Sequence, residues 1–312
     1  MELSLHRLRM LKEFARRGTV TRAAQALQYT PSAVSQQLST LERETGVTLF
    51  EHVGRRLRLT PDGRLLAAHA AEILEAEERA RVALEQAQKT LTAELTVGVV
   101  ATVAASLMPP TIAALAQREP GVTVRTREVS PEVALAAVRE GEFDMTFVLD
   151  YPETSAQLDL GLRSAVVAVE QMYLITAADQ TDAEAPVDLK DFAGHDWIAS
   201  GDSTDFGRAF VATCRRAGFE PRIRHQIDDQ STAMSMAAGR LGVTLAADLG
   251  MSPRPENAAV LPIRRPPLRR HLLVRRGSTE ARPSEDAFIR ATLEAAQSLG
   301  IHPEASPSSA AP

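Results

Sequence analysis

Apolar positions along the first sixty residues recur with helical spacing and then give way to short extended runs. Ala23, Ala24 and Leu27 share one face of a short helix, and the small alanines admit another helix closely. Thr21 is placed to cap its start. Beyond Tyr29, the Thr30-Pro31 pair supplies an N-cap followed by a residue suited to the first helical position, where a missing N–H needs no partner. Val34, Leu38 and Leu41 then form a buried stripe at i, i+4 and i+7, leaving Ser32, Ser35, Gln36, Ser39 and Thr40 on other faces. Gly46 is placed to end this helix in a left-handed cap. Leu49 to Leu59 reads as two extended runs about Val53-Gly54, with Arg55, Arg56 and Arg58 adding positive charge. The outline is a helix-turn-helix with a basic wing. Ser and Gln both donate and accept, Gln matches an adenine edge, and a helix N-terminus sits well against phosphate.

Thr60-Pro61-Asp62 repeats the cap-then-proline device and opens a long helix with no breaker before about Thr90. Along it Leu66, Ile73, Ala80 and Ala87 recur at sevens with Leu84 beside them, a seam too narrow to serve a lone helix and suited to a helix pair from two chains. The alternative is packing on its own chain. Beyond Glu94 the pattern becomes β-α-β-α-β: LTVGVV, a helix over Ser106 to Arg118, VTVRTREV, a helix opened by Ser130-Pro131, and DMTFVL. A second set follows with strands near MYLITA, DWIAS, RIRHQI and GVTLAA and helices over about Thr204 to Ala217 and Ser231 to Ala238. RHLLVRR and a helix from Glu285 to Leu299 return to the first set.

This gives four segments. Residues 1–62 form a winged helix-turn-helix domain, and 63–91 a linker and dimerisation helix. Residues 92–303 form a two-lobed α/β domain, with lobe I at about 92–163 and 268–303 and lobe II at about 164–267. Residues 304–312 form a tail expected to be disordered. Crossovers between lobes are expected near Arg163 to Val169 and Arg264 to Leu268.

Charge sharpens the picture. The chain carries a net charge of −5, yet its first 62 residues carry +4 and the remainder −9. A basic head on an acidic body is expected where only the head meets a polyanion. A helical protein-binding module is the competing reading. With 312 residues and 44% hydrophobic positions there is material for several cores. No apolar run is long enough to cross a bilayer, and the opening helix is charged and amphipathic, so a cytoplasmic protein with no membrane partner is expected. The single cysteine, Cys214, has no partner for an internal disulfide and is expected to pack beside Phe210.

At the head the chain resembles the LysR-type transcriptional regulators. The family's pattern is carried by Ala23-Ala24, Leu27, Ala33-Val34-Ser35, Leu38, Leu41-Glu42, Gly46, Leu49-Phe50, Arg55 and Leu59-Thr60 with Gly63. His52 stands where the family usually has Arg, and Pro31-Ser32 where a Gln-Pro order is common. The resemblance implies a DNA-contacting set of Thr30, Pro31, Ser32, Ser35, Gln36 and Arg55. It also implies a dimerising linker helix, a homodimer that assembles as a dimer of dimers, double-stranded promoter DNA as partner with RNA polymerase as a further one, and a C-terminal domain like a periplasmic solute-binding protein.

Ligands of open α/β sheets bind beyond the carboxyl ends of the strands. That rule selects Ala101-Thr102-Val103, Asp150-Tyr151, Ser200 to Thr204 and Asp228 to Thr232. With the family pattern it gives Thr102, Ser203 and Thr204 as first candidates for effector contacts, then Asp202 and Gln230, with Val103 and Asp150 alongside. Ser203 or Thr204 capping its own helix is the competing reading. The expected function is a ligand-responsive, DNA-binding regulator whose effector is a small molecule. The alternatives are a small-molecule-binding protein or an enzyme built on the two lobes. Enzyme signals are weak: no Walker lysine motif occurs, and the seven histidines at 6, 52, 69, 195, 225, 271 and 302 show no metal-ligand spacing. Gly201-Asp202-Ser203 lacks the second glycine of a nucleophile elbow, and His195-Asp196 with Ser203 makes only a chance triad. No catalytic residue, metal or cofactor is expected.

Overall fold

The computed structural model describes residues 3–27, 29–53, 56–88, 90–152, 154, 161–181, 186–277 and 281–303. The head opens with α1 (Leu5–Arg17), followed by α2 (Val20–Leu27) and α3 (Pro31–Thr45). Its wing is the antiparallel hairpin β1 (Phe50–Val53) and β2 (Arg56–Leu59), in register Phe50 to Leu59. Leu8, Leu11, Phe14, Ala23, Ala24, Leu27, Val34, Leu38 and Leu41 close one core. α2 is capped by Thr19, whose hydroxyl accepts from Arg22 N at 3.2 Å, and not by Thr21, which is already the second residue of the helix. α3 begins as expected, with Thr30 Oγ1 accepting from Ala33 N and Pro31 at its first position. Gly46 takes φ +69°, a conformation that costs a residue with a Cβ about 1–2 kcal/mol.

The linker helix α4 (Pro61–Gln86) ends before Thr90, with Ala87 as its C-cap. It packs along α1, so Leu66 and Ile73 are half-buried against the head's core, while Ala80 and Ala87 are exposed and Leu84 is 69% exposed. The first half of the seam therefore serves its own chain, and the second half faces solvent.

The expected first lobe is present as β3 (Ala93–Val99), α5 (Ala101–Ser106), α6 (Met108–Arg118), β4 (Val122–Glu128), α7 (Pro131–Glu140) and β5 (Met145–Asp150). The helix expected over Ser106 to Arg118 is α6, with Pro109 and Pro110 in its first turn, and the short α5 ahead of it was not expected. A larger departure follows. β6 (Leu162–Ala177) is one 16-residue strand, and the expected crossover at Arg163 to Val169 lies inside it. Its first half pairs with β11 (Leu268–Arg276) as far as Gln171, and its second half pairs with β9 (Thr244–Ala247) and β10 (Ala258–Leu261) of lobe II. The sheet order is β10-β6-β11-β5-β3-β4. Lobe II is completed by the parallel pair β7 (Asp196–Ala199) and β8 (Arg222–Gln226), with α8 (Asp205–Arg216) and α9 (Gln230–Ala238). α10 (Pro283–Ser298) returns to lobe I.

Each lobe has its own core, around Val97, Val99, Phe147 and Phe288 in the first and Leu174, Trp197, Phe210 and Leu245 in the second. Arg282, at the start of α10, pairs with Asp144 at 2.6 Å, Glu285 at 3.1 Å and Glu85 of α4 at 3.4 Å, tying the linker helix to lobe I. No helix among the described residues is long and apolar enough to cross a membrane.

Candidate nucleic-acid interface and ligand cleft

The stripe Val34, Leu38 and Leu41 is at most 1% exposed, which turns the other side of α3 outward. Thr30, Pro31, Ser32, Ser35 and Gln36 are all exposed. The Thr30 and Ser32 hydroxyls lie 2.9 Å apart, so the start of the helix presents a fixed polar corner. Between this face and the wing runs a groove of about 570 Å³ lined by Pro31, Ser35, Ser39, His52 and Arg56. Arg56 and Arg58 are exposed on β2. Arg55 lies outside the described residues. Glu42 is spent internally: its carboxylate accepts from Leu49 N at 2.7 Å and Phe50 N at 3.0 Å, fixing the wing to the reading helix.

In the two-lobed domain the expected cleft residues divide. Thr102 is half-exposed at the start of α5, and Asp202 and Ser203 are exposed ahead of α8. Val103 is 0% exposed in the core of lobe I, because the strand runs straight into α5 and turns that side chain inward. This corrects its assignment to the cleft. Asp150 is 2% exposed and paired with Arg270. Thr204 caps α8, accepting from Gly207 N at 2.9 Å and donating to Gly201 O at 2.9 Å, which is the competing reading given above. Gln230 donates to the Ala247 carbonyl at 3.0 Å.

The sequence reading missed the polar cluster on the strands that join the lobes. Glu170 on β6 is fully buried at its side chain and receives Arg269 Nε at 2.5 Å, His271 Nε2 at 2.5 Å and Leu249 N at 2.8 Å. Burial alone would raise its carboxyl, but Arg269, His271 and the Leu249 amide outweigh burial and hold it down at about 2. Leu249 belongs to the segment after β9 yet packs in the core of lobe I, and its carbonyl accepts from Ser106 Oγ of α5 at 2.6 Å. The two lobes thus meet on one buried carboxylate. Charged residues within the otherwise apolar stretches around Glu170 and His271 were the available signal.

Two members of the chance triad have other partners. Asp196 is taken by Arg222 and Arg224, and His195 stacks near Phe192 at 5.1 Å between ring centroids. Among the described residues no group of three His, Cys, Asp or Glu is arranged to hold a metal ion.

Comparison with known proteins agrees with this geometry. Residues 5–64 match the bacterial regulatory helix-turn-helix family of lysR type, and residues 88–297 match the LysR substrate binding domain. The transcriptional dual regulator GltC of Bacillus subtilis is 24% identical over 295 residues, spanning 94% of this chain and 97% of the relative. A probable hydrogen peroxide-inducible genes activator of Mycobacterium xenopi is 41% identical over 133 residues, 43% of this chain and 70% of the relative. The solved structure of full-length CbnR with its target DNA superposes with a TM-score of 0.56 at 20% identity, covering 94% of this chain and all of that one. The fold, the outward polar face of α3 and two family matches that together span most of the sequence place this chain in the LysR family of ligand-responsive transcriptional regulators.

Proposed function

We propose that the chain reads promoter DNA through Thr30, Pro31, Ser32, Ser35 and Gln36 of α3, with the wing arginines on the phosphate backbone. A small molecule in the cleft between the lobes then alters how the paired readers are set. The observation that carries this reading is the partition of α3 into a fully buried apolar stripe and a fully exposed polar face. CbnR, of the same fold, has been solved on DNA, which supports the DNA partner. The exposed second half of the seam, at Ala80, Leu84 and Ala87, supports pairing through the end of α4, whereas Leu66 and Ile73 pack on their own chain. Two joined readers engage two half-sites at once. A dimer of dimers, contact with RNA polymerase and a cytoplasmic location belong to the same proposal, as does the absence of any catalytic step or cofactor.

Changing Ser35 or Gln36 to Ala should lower discrimination between operator bases by about 1–3 kcal/mol. Changing Arg56 to Ala should weaken binding to every sequence and reduce the salt slope by about one. Fluorescence anisotropy with the chain's own upstream DNA, titrated at several salt concentrations, measures both. Unaltered affinity and slope in all three variants would reject the assigned face.

The effector we propose is a reversibly bound small metabolite rather than an oxidant. The Mycobacterium xenopi relative is a probable activator of hydrogen peroxide-inducible genes, but Cys214 is 0% exposed in α8, and burial followed by Glu220 pushes its thiol up to about 12. A thiolate is the reacting form. A thermal-shift screen of amino acids, organic acids and aromatic acids should show one class raising Tm by mass action, about 2.7 kcal/mol at a hundredfold excess over Kd. A response to peroxide that disappears in Cys214→Ser would overturn the choice of a metabolite.

A further inference from the structure

The carboxyl of Glu140, at the end of α7 in lobe I, is 5% exposed, and what covers it belongs to the DNA reader. Tyr29, in the turn between α2 and α3, lies close enough to interact with it, and Glu140 Oε1 has no hydrogen-bond partner among the described residues. Two further bonds cross the same junction. Arg9 of α1 donates to the Glu140 carbonyl at 3.2 Å while its other nitrogen holds Glu77 of α4 at 3.0 Å. Arg139 donates to the Ala26 carbonyl at 3.4 Å, at the end of α2. In this arrangement the polar face of α3 stays exposed, so the contact positions the reading helix without covering it.

We propose that the Arg139–Glu140 end of α7 is a docking point that holds the DNA reader against lobe I of the same chain and releases it when the Glu140 carboxyl loses its proton. The direction of the reading helix then follows pH as well as ligand.

A neutral carboxyl fits this junction and a charged one does not. Glu13 of α1 and Glu142 just after α7 bring like charge, whereas Arg9 and His6 of α1, Arg139 of α7 and Arg276 of β11 are the nearby cationic or titratable groups, with Tyr29 in direct contact. Burial, reinforced by Glu142 and Glu13 against Tyr29 and Arg139, pushes the carboxyl up from 4.5 to about 8. Because the docked group holds its proton more tightly than the free one, docking is at full strength below the ordinary carboxylate range. It weakens about tenfold per pH unit as pH rises towards the docked value, and levels off beyond it.

The test uses the full chain without DNA or effector, so its failure leaves the proposed DNA face standing. Amide exchange over residues 23–29 and 133–140, corrected for intrinsic rates, is compared at about pH 6.5 and about pH 8. In the unaltered protein protection should fall roughly tenfold or more across that interval. Glu140→Gln, neutral and of the same shape, should remain protected at both values, and Glu140→Arg should be open at both. An equal pH response in Glu140→Gln overturns the proposal, as does unchanged exchange in a Glu140→Arg protein whose circular dichroism shows it folded. Protection that falls on dilution places the contact between protomers and overturns docking within one chain.

Discussion

Replacing Glu170 by Ala should lower stability by about 3–5 kcal/mol, because it leaves the Arg269 guanidinium buried with its anion gone. Arg269 has a side chain only 6% exposed, and Glu170 is its ion-pair partner. The loss should exceed that of an ordinary buried hydrogen bond, about 1 kcal/mol, and chemical denaturation of the full chain measures it. A second substitution separates a stranded charge from lost packing. In Glu170→Ala with Arg269→Met the guanidinium is removed together with its anion, so much of the stability should return; a double variant no more stable than the single would sink the explanation. Acid gives an independent check. The Glu170 carboxyl is held at about 2, below its ordinary value, so its contribution is complete above the ordinary carboxylate range and is lost as pH falls through about 2. The single variant should lack that part of the acid transition. Since Leu249 N and, through its carbonyl, Ser106 of α5 depend on the same carboxylate, the variant should also loosen lobe II from lobe I.

How much of this was legible in the sequence follows from how far each interaction reaches along the chain. The reading helix was visible because its signals are local: Thr30, Pro31 and Gly46 set its ends, and Val34, Leu38 and Leu41 set its buried side, all within one short segment. The same holds for Thr60-Pro61 at the start of α4. Glu170 was not visible, because its partners lie about a hundred residues away on β11 and the charge interrupts the apolar run that would otherwise mark one long strand. That interruption made β6 read as a crossover followed by a separate strand. In the cleft, residue type suggested ligand contacts, but geometry decides whether a hydroxyl or carboxylate is already engaged. Thr204 is taken up by its helix and Asp150 by Arg270, whereas Thr102, Asp202 and Ser203 keep exposed surface. The docking of Tyr29 on Glu140 joins residues more than a hundred apart and left no local trace.

Gly63→Ala should destabilise the head even though helix propensity alone argues for the opposite. Gly63 lies in the first turn of α4, and in a helix Ala is preferred over Gly by about 1 kcal/mol. The space opposes this. A Cβ at Gly63 falls on the Leu49 carbonyl oxygen, closer than real Cβ atoms approach, and meets the Leu59 side chain at 3.0 Å. The Leu49 oxygen cannot simply retreat, because it accepts Thr60 N at 3.0 Å and closes the base of the wing. Thr60 is equally committed, donating to Thr48 O at 2.7 Å while accepting from Gly63 N at 3.0 Å. Overpacking against backbone costs typically about 1–3 kcal/mol, enough to outweigh the propensity gain. Because the displaced atoms anchor β1 and β2, the wing should move with them, and DNA affinity should fall together with the melting temperature of the head. Differential scanning calorimetry alongside anisotropy on upstream DNA reads both. A Gly63→Ala protein that melts at or above the parent temperature would show that the approach of α4 to the wing is looser than described, and the wing would then lose its fixed place beside the reading helix.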